Sequence, residues 1–543
     1  MRGWKCVQAA APLAWVALGA CYSPPVASPR TTVTQETNVR VEQNIKNKVD
    51  VLFMVDNSSS MDPMQLELRA KFGQFFQVFE QLAAQGTFAD LHIGVVTSDY
   101  GAGDTAGGGC DASPGGQKGI LQTLPSPNAV NPPAGCQAPQ GAPFIQYAFG
   151  AGGPTTNLPS GSDATALLNE FTCMASVGAR GCGFEHQLES VYAALHNTNE
   201  NKGFLRPDAL LTVVFVTNED DGSAPPAAKF YEQAGSDPNG GGMYGQYTTY
   251  RQTRFAVDCM GAPIPYGMPL ANLMGCAAAP NPMNTDVNSA FDLSRYINFF
   301  TLPAVQGGVK VDPADVILVG IDGPESPVST VLVDPSKGNT PYVACPTPML
   351  SSSCNEALQH SCENTVQPGF FADPAVRLNT VIDAVGNHKI TSICGDNLGQ
   401  TPDFTNAMQQ LGELISSQIG PGCLNAPVAA RADDGTPDCT VEDVTTDPDG
   451  TVSTVEIASC AQNGDVPPCW QLNDLLGQYQ MQGCVPPPGP APASCKLPLS
   501  CQPVTNPVDN KQQLASVSIN RGGQPPPLNT TARVACATIA SSM

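Results

Sequence analysis

The chain has 543 residues, only 13% of them charged, with 52 glycines, 51 prolines and a net charge of −23. That length exceeds one ordinary core and suggests roughly two or three domains, and the turn-forming residues imply long loops rather than a coiled coil or a charged disordered tail. The acidic balance, with no concentrated basic face, excludes nucleic acid as a partner.

The N-terminus reads as an export signal. Arg2 and Lys5 precede the apolar run "CVQAAAPLAWVALGA" at 6–20, which is too short to span a bilayer. The run ends in "LGAC", similar to a bacterial lipobox, so residues 1–21 are assigned to a lipoprotein signal with Cys21 as the acylated residue. Tyr22 rather than aspartate follows it, which by analogy with that class fits an outer-membrane location. An ordinary signal peptide cut after Ala20 is the alternative. Loss of Arg2 and Lys5 with the leader takes the net charge from −23 to −25. The longest later apolar run is "ALLTVVFV" at 209–216, so membrane contact is expected through a lipid anchor only. Residues 22–45 form a Pro/Ser/Thr/Asn-rich tether.

Beyond the tether, apolar strands alternate with amphipathic helices. The pattern predicts a strand at 49–55, a helix at 62–84 (Leu66, Phe72, Phe75, Phe76, Phe79 and Leu82), and a strand at 91–98. A Gly/Pro-rich excursion covers about 100–170, followed by a helix at 184–195, a strand at 210–217 and a second excursion at about 224–288. A helix near 289–300, a strand at 315–321, a helix near 373–386, a strand at 389–394 and a helix at 403–419 complete the series. This order predicts an α/β domain over 46–425, a doubly wound, mostly parallel sheet covered by helices on both faces.

Residues 426–543 change character, with short β-like runs, a proline spacer at 485–494 and seven cysteines from Cys439 to Cys536. They are read as a small, disulfide-stapled β appendage, whose odd cysteine pairs upstream, for instance with Cys423. Apart from Cys6 and Cys21, 18 of the 20 cysteines remain, an even number suited to disulfides in an exported chain. No C-x-x-C zinc spacing occurs, and Cys173/Cys182, Cys460/Cys469 and Cys495/Cys501 have the spacing of loop staples.

The first strand ends in "DNSSSM". Asp56, Ser58 and Ser60 lie at i, i+2 and i+4 just past the strand, where a turn can aim one carboxylate and two hydroxyls at a single hard cation. This stretch resembles the D-x-S-x-S element of the von Willebrand factor A domain. "VDVLFMVDNSSSM", "GCGFEHQLESV" and "VVFVTNEDDGS" are similar to exported bacterial A-domain lipoproteins with cysteine-rich insertions. The resemblance implies a metal-ion-dependent adhesion site holding Mg²⁺, with Ca²⁺ or Mn²⁺ as substitutes, completed by an acidic group of a protein or surface ligand. It also implies a threonine near 178–179, where this chain has Gly178 and Ala179, and an aspartate where it has Asn218. Asn218 is therefore a weaker candidate ligand, and Asp220 and Asp221 are further candidates beside it.

Plainer readings compete. Asp56 and the serines can cap the following helix. Asp220 and Asp221 can form a solvated turn, Asp99 and Asp322 can be loop residues of the rim, and Glu185 and Glu189 can sit on a charged outer helix face. "DPDG" at 447–450 reads as a turn, and "GAGDTA" at 101–106 as a loop. No hydrolase or nucleotide-binding signature occurs. The expectation is a non-enzymatic envelope lipoprotein for adhesion or protein binding. A structural envelope component with a degenerate metal site is the alternative, and a secreted hydrolase the remote one.

Overall fold

The computed structural model describes residues 47–538 except 85–87, 103–115, 151, 229–230, 234, 339–341, 348, 420–421, 425, 432–434, 447–450, 475, 477–502, 507–509 and 522–529. The signal segment with Cys21, the tether, "DPDG", most of "GAGDTA", the proline spacer and the Cys495/Cys501 spacing therefore lie outside the described residues.

Seven strands form the central sheet: β1 (Lys48–Val55), β2 (Asp90–Thr97), β3 (Ile145–Ala148), β4 (Thr155–Thr156), β5 (Leu210–Val216), β6 (Val316–Asp322) and β7 (Asn387–Ser392). Their spatial order is β7-β6-β5-β1-β2-β3-β4. The first five of that order run parallel, and the β3–β4 hairpin is antiparallel at one edge. The strand order reverses between β1 and β5, as in doubly wound folds generally.

Residues of β1 alternate between two cores, as the two-residue period of a strand requires. Val49, Val51, Phe53 and Val55 face one core with the helices α1 (Asp62–Ala84), α2 (Ala164–Met174) and α6 (Thr405–Ile419). Leu52 and Met54 face the other, with α3 (Gln187–His196), α4 (Ser294–Thr301) and α5 (Val376–Asp383). In the first core Phe53 meets Phe171 at a centroid distance of 4.9 Å and Phe72 at 6.0 Å, and burying each such ring contributes about 1.5–3 kcal/mol. α1 and α6 approach so closely that a Cβ on Gly412 would sit 2.6 Å from Val78 Cγ2.

Several expected boundaries shift. Leu66 lies off the buried stripe of α1, where Leu68 takes its place. α3 starts at Gln187, not near 184, because the backbone of His186 is non-helical (φ −125°, ψ 63°), and the Glu185 and His186 amides donate to Gln252 Oε1 and Ser98 O. α4 starts at Ser294, whose amide is taken by Asp292, and α5 is confined to Val376–Asp383, just past Pro374. The first excursion is not featureless, since it contributes β3, β4 and α2.

A third excursion, between β6 and α5, was not anticipated. Its strand Val328–Val333 pairs with Leu270–Leu273 from the second excursion and with Asn355–Leu358. Disulfides join Cys136–Cys173, Cys259–Cys276, Cys345–Cys354, Cys362–Cys394, Cys439–Cys536 and Cys460–Cys469. Cys173 thus pairs with Cys136 rather than with Cys182, while Cys460 and Cys469 pair as their spacing suggests. Such bridges persist in oxidising compartments, as in exported proteins.

Two small antiparallel sheets follow. One joins Cys439–Thr446 to Val452–Ile457 and Thr530–Cys536; the other joins Ala515–Asn520 to Gly422–Leu424 and Cys469–Asp474. Val441, Trp470, Val517 and Val534 fill the space between them. Backbone pairing joins Gly422–Leu424 to this appendage, and the disulfide expected at Cys423 lies outside the described residues. Among the described residues no helix is long and apolar enough to cross a membrane.

Candidate metal centre

The ends of β1, β2 and β5 converge where the strand order reverses, the position at which sheets of this type hold ligands. The Asp56 amide donates to Val216 O at 2.9 Å, and its Oδ1 then accepts the Ser58 amide at 2.8 Å as the chain turns toward α1. Oδ1 also accepts the Ser98 hydroxyl at 3.0 Å, and Oδ2 the Thr217 hydroxyl at 2.8 Å. The hydroxyls of Ser58 and Ser60 stand 3.3 Å apart, and Ser60 donates to Asn218 Oδ1 at 3.1 Å. The fold therefore brings Asp56, Ser58, Ser60 and Asn218 together. The serine hydroxyls face each other and Asn218, which a plain helix cap does not require.

Gln65, in the first turn of α1, ties this turn to the loop 175–186. Its Nε2 donates to Asp56 O at 2.9 Å and to Gly178 O at 2.7 Å. The Gly181 amide donates to Asn57 O at 2.8 Å, and a Cβ there would sit 2.2 Å from Asn57 Oδ1, so this approach needs glycine. Gly178 and Ala179 occupy the place where the resemblance implies a threonine. Nearby Ser176 spends its hydroxyl hydrogen on Thr172 O at 2.7 Å and accepts from Arg69.

The side chain that this loop delivers to the centre is instead a carboxyl. Glu185 is fully buried, lying against Asp56 and Ser58. Burial first, and then the charges of Asp56 and Glu219, push it well above the usual carboxylate range. Burial, followed by Asp373 and Asp56, does the same to Glu219. Gln187 Nε2 donates to Glu185 Oε2 at 3.0 Å, but Oε1 has no donor among the described residues. Burying carboxyls side by side without a counter-charge is costly, and it is resolved by a proton or a cation. Among the described residues no three His, Cys, Asp or Glu side chains form a metal cage. A cation held here would need the hydroxyl and amide oxygens of Ser58, Ser60 and Asn218 as well.

Asp220 and Asp221, the further candidates, engage their carboxylates with partners other than the Asp56 turn. Asp220 accepts the Arg377 and Leu378 amides at 3.0 Å, at the start of α5. Asp221 accepts the Leu188 amide at 3.0 Å, at the start of α3, and pairs with the buried Arg377 guanidinium at 3.2 Å. Aligned amides at a helix N-terminus favour a carboxylate. Neither residue is a solvated turn, since they are 3% and 1% exposed.

Other plain readings also change. Glu189 is held by Arg295 at 2.9 Å and Tyr296 at 2.8 Å, not displayed on an outer face. His186 meets the Tyr231 hydroxyl at 3.0 Å, and burial pushes it down to about 4. Asp99 and Asp322 are both buried, Asp99 in the loop past β2 and Asp322 as the last residue of β6 rather than in a loop. Burial pushes Asp99 up to about 6 and Asp322 well above the usual range. The sequence reading missed the parts played by Ser98, Thr217 and Glu185. The hydroxyl closing each of "LHIGVVTS" and "LLTVVFVT" was an available signal for the first two.

Beside the centre opens a cleft of about 520 Å³. Ser59, Glu219 and Asp373 line it from the sheet rim, the short helix Tyr250–Arg254 from the second excursion, and the strand Asn355–Leu358 from the third.

No family model matches the chain, and no curated protein matches it. Matching solved structures include a von Willebrand factor type A protein from Catenulispora acidiphila, 8% identical with a TM-score of 0.23, over 93% of this chain and 63% of that one. The pilus adhesin RrgA from Streptococcus pneumoniae matches at 10% identity and a TM-score of 0.28, over 92% and 57% of the two chains. The pilus adhesin SpaC from Lactobacillus rhamnosus GG matches at 9% identity and a TM-score of 0.27, over 91% and 40%. The chain thus spans less than two thirds of each of these proteins.

Proposed function

We propose that this is an exported binding protein whose sheet rim holds a hard divalent cation and offers it to an acidic group on a protein or surface ligand. Mg²⁺ is the first choice, with Ca²⁺ or Mn²⁺ able to replace it. The observation that carries this reading is the buried pair Asp56 and Glu185, with the half-buried Glu219 near them and the Ser58 and Ser60 hydroxyls beside, where the leading charges acting on Glu185 and Glu219 are other carboxylates. Asp56, Ser58, Ser60 and Asn218 supply the oxygens, and Glu185 stands in for the missing threonine. A bound cation would supply the positive charge these groups lack and leave one position for the partner's carboxylate. Cys21 would carry the lipid that holds the protein at the outer membrane. No catalytic step is assigned.

A second reading has its own support, because a proton on Glu185 can take the place of a cation. The protein would then be a metal-free component of the envelope. Calorimetric titration of the disulfide-intact protein with MgCl₂, CaCl₂ and MnCl₂ separates the two. Saturable binding that raises the thermal midpoint and is lost in Asp56→Ala supports the cation. A folded wild-type protein that binds none of the three at about 10 mM, beyond the weak end of extracellular sites, overturns it.

A further inference from the structure

The cleft beside the centre has a chemistry of its own. Glu219, Asp373 and Glu356 line it together with the phenols Tyr250 and Tyr342, and no lysine, arginine or histidine is among the described residues that line it. Two polar atoms on its wall, Glu356 Oε1 and the Tyr250 hydroxyl, are buried without a hydrogen-bond partner among the described residues. Glu356 is 1% exposed, and although its Oε2 accepts the Gly267 amide at 2.6 Å, Oε1 has no donor among the described residues. Thr330 lies beside this carboxyl but spends its hydroxyl hydrogen on Met268 O at 3.1 Å. Tyr250 is 6% exposed, and its hydroxyl is likewise unpartnered.

Positive groups nearby leave the cleft acidic. Arg254 acts on Glu356 only as the last of several influences, after the burial that pushes Glu356 up to about 7. Arg254 instead lies over the Tyr266 ring, 4.3 Å from its centroid. Asp373 is held by His360 at 2.8 Å, and His360 in turn stacks on Tyr342 at 4.4 Å.

From this we infer that the cleft receives the ammonium or guanidinium group of a lysine or arginine side chain on the partner. Glu356 and Tyr250 offer their free oxygens to the cation. The tyrosine faces attract it as aromatic rings do, and Val333, Pro335 and Leu358 cover the aliphatic stem. The inference deepens the proposed function and rests on it only in taking this rim as the face a partner meets. It adds a second requirement, that an acidic and a basic group be presented close together.

The test uses the full exported protein and the probes Nα-acetyl-lysinamide and Nα-acetyl-argininamide, with Nα-acetyl-norleucinamide as the neutral control, in NMR titrations run in Mg²⁺ and again in EDTA. The expected result is saturable binding of at least one cationic probe, no binding of the control, and affinity lowered roughly tenfold or more in Glu356→Gln, about the loss of one charge-assisted contact. Tyr250→Phe and Asp373→Asn provide independent variants should Glu356→Gln fail to fold. Equal binding of the control, no saturation of either cationic probe at about 50 mM, or unchanged affinity in all folded variants overturns the inference. Binding that persists in EDTA while the cation titration fails separates this inference from the metal reading.

Discussion

Two groups of acids stand at the same rim of the sheet, the buried Asp220 and Asp221 and the buried Glu185 with the half-buried Glu219, and their surroundings differ. Asp220 and Asp221 are met by the amides of Arg377, Leu378 and Leu188 and by a guanidinium. Glu185 and Glu219 each accept one neutral glutamine amide, from Gln187 and Gln252, and the charges that act on them are other carboxylates. The first pair is compensated within the fold and holds α3 and α5 in place; the second is left for something outside the fold to compensate. Burial alone therefore does not distinguish a structural acid from a binding acid. The donors around it do.

The sharpest way to break the comparison is to remove a compensated carboxylate. Asp221→Ala would strand the buried Arg377 guanidinium and leave the Leu188 amide without its acceptor, and is expected to lower the free energy of unfolding by about 3–5 kcal/mol. Urea denaturation should show this loss equally in Mg²⁺ and in EDTA. A loss under about 1 kcal/mol would mean that Asp221 is not the structural acid described.

A carboxyl remote from the rim sharpens the comparison through pH. Glu170, on α2, is 3% exposed with no partner for Oε1 among the described residues, and burial pushes it up to about 7 from a usual 4.5. Its folded form holds the proton more tightly than the unfolded chain does. Its contribution is thus intact below about 4.5 and is lost as pH rises to about 7, beyond which it adds no further slope. Glu170→Gln should remove that decline and raise stability at neutral pH by about 1–2 kcal/mol, allowing for solvent screening. Parallel pH profiles of the urea midpoint for the two proteins would refute it.

The strands and the turn that carries Asp56, Ser58 and Ser60 were legible because both are local. An apolar run between turn residues marks a strand, and three oxygens at alternate positions of one turn can converge without help from the rest of the chain. The role of Glu185 was not legible. It depends on Gln65, Gly178 and Gly181 drawing the loop 175–186 beneath the first turn, contacts more than 100 residues apart in sequence. In helical periodicity Glu185 and Glu189 look like an exposed pair, yet one faces Asp56 and the other Arg295. The pairing of Cys173 with Cys136 was hidden for the same reason, since chain separation does not report which loop the fold lays beside α2.

The smallest expected change is also the one that decides the comparison. Glu185 lacks a donor at Oε1 and faces a carboxylate, so Glu185→Gln breaks no ion pair, and the amide carbonyl can still accept from Gln187. In EDTA the variant should therefore unfold within about 1 kcal/mol of the wild type, in contrast to Asp221→Ala. In Mg²⁺ the wild type should gain stability as the ion binds, by about 2.7 kcal/mol when the free ion is at a hundred times its dissociation constant, and the variant should gain less. A Glu185→Gln protein destabilised by more than about 3 kcal/mol in EDTA would show that Glu185 is an ionised, paired group like Asp221. The two sets of acids would then be alike, and the rim would hold no charge in need of an outside partner.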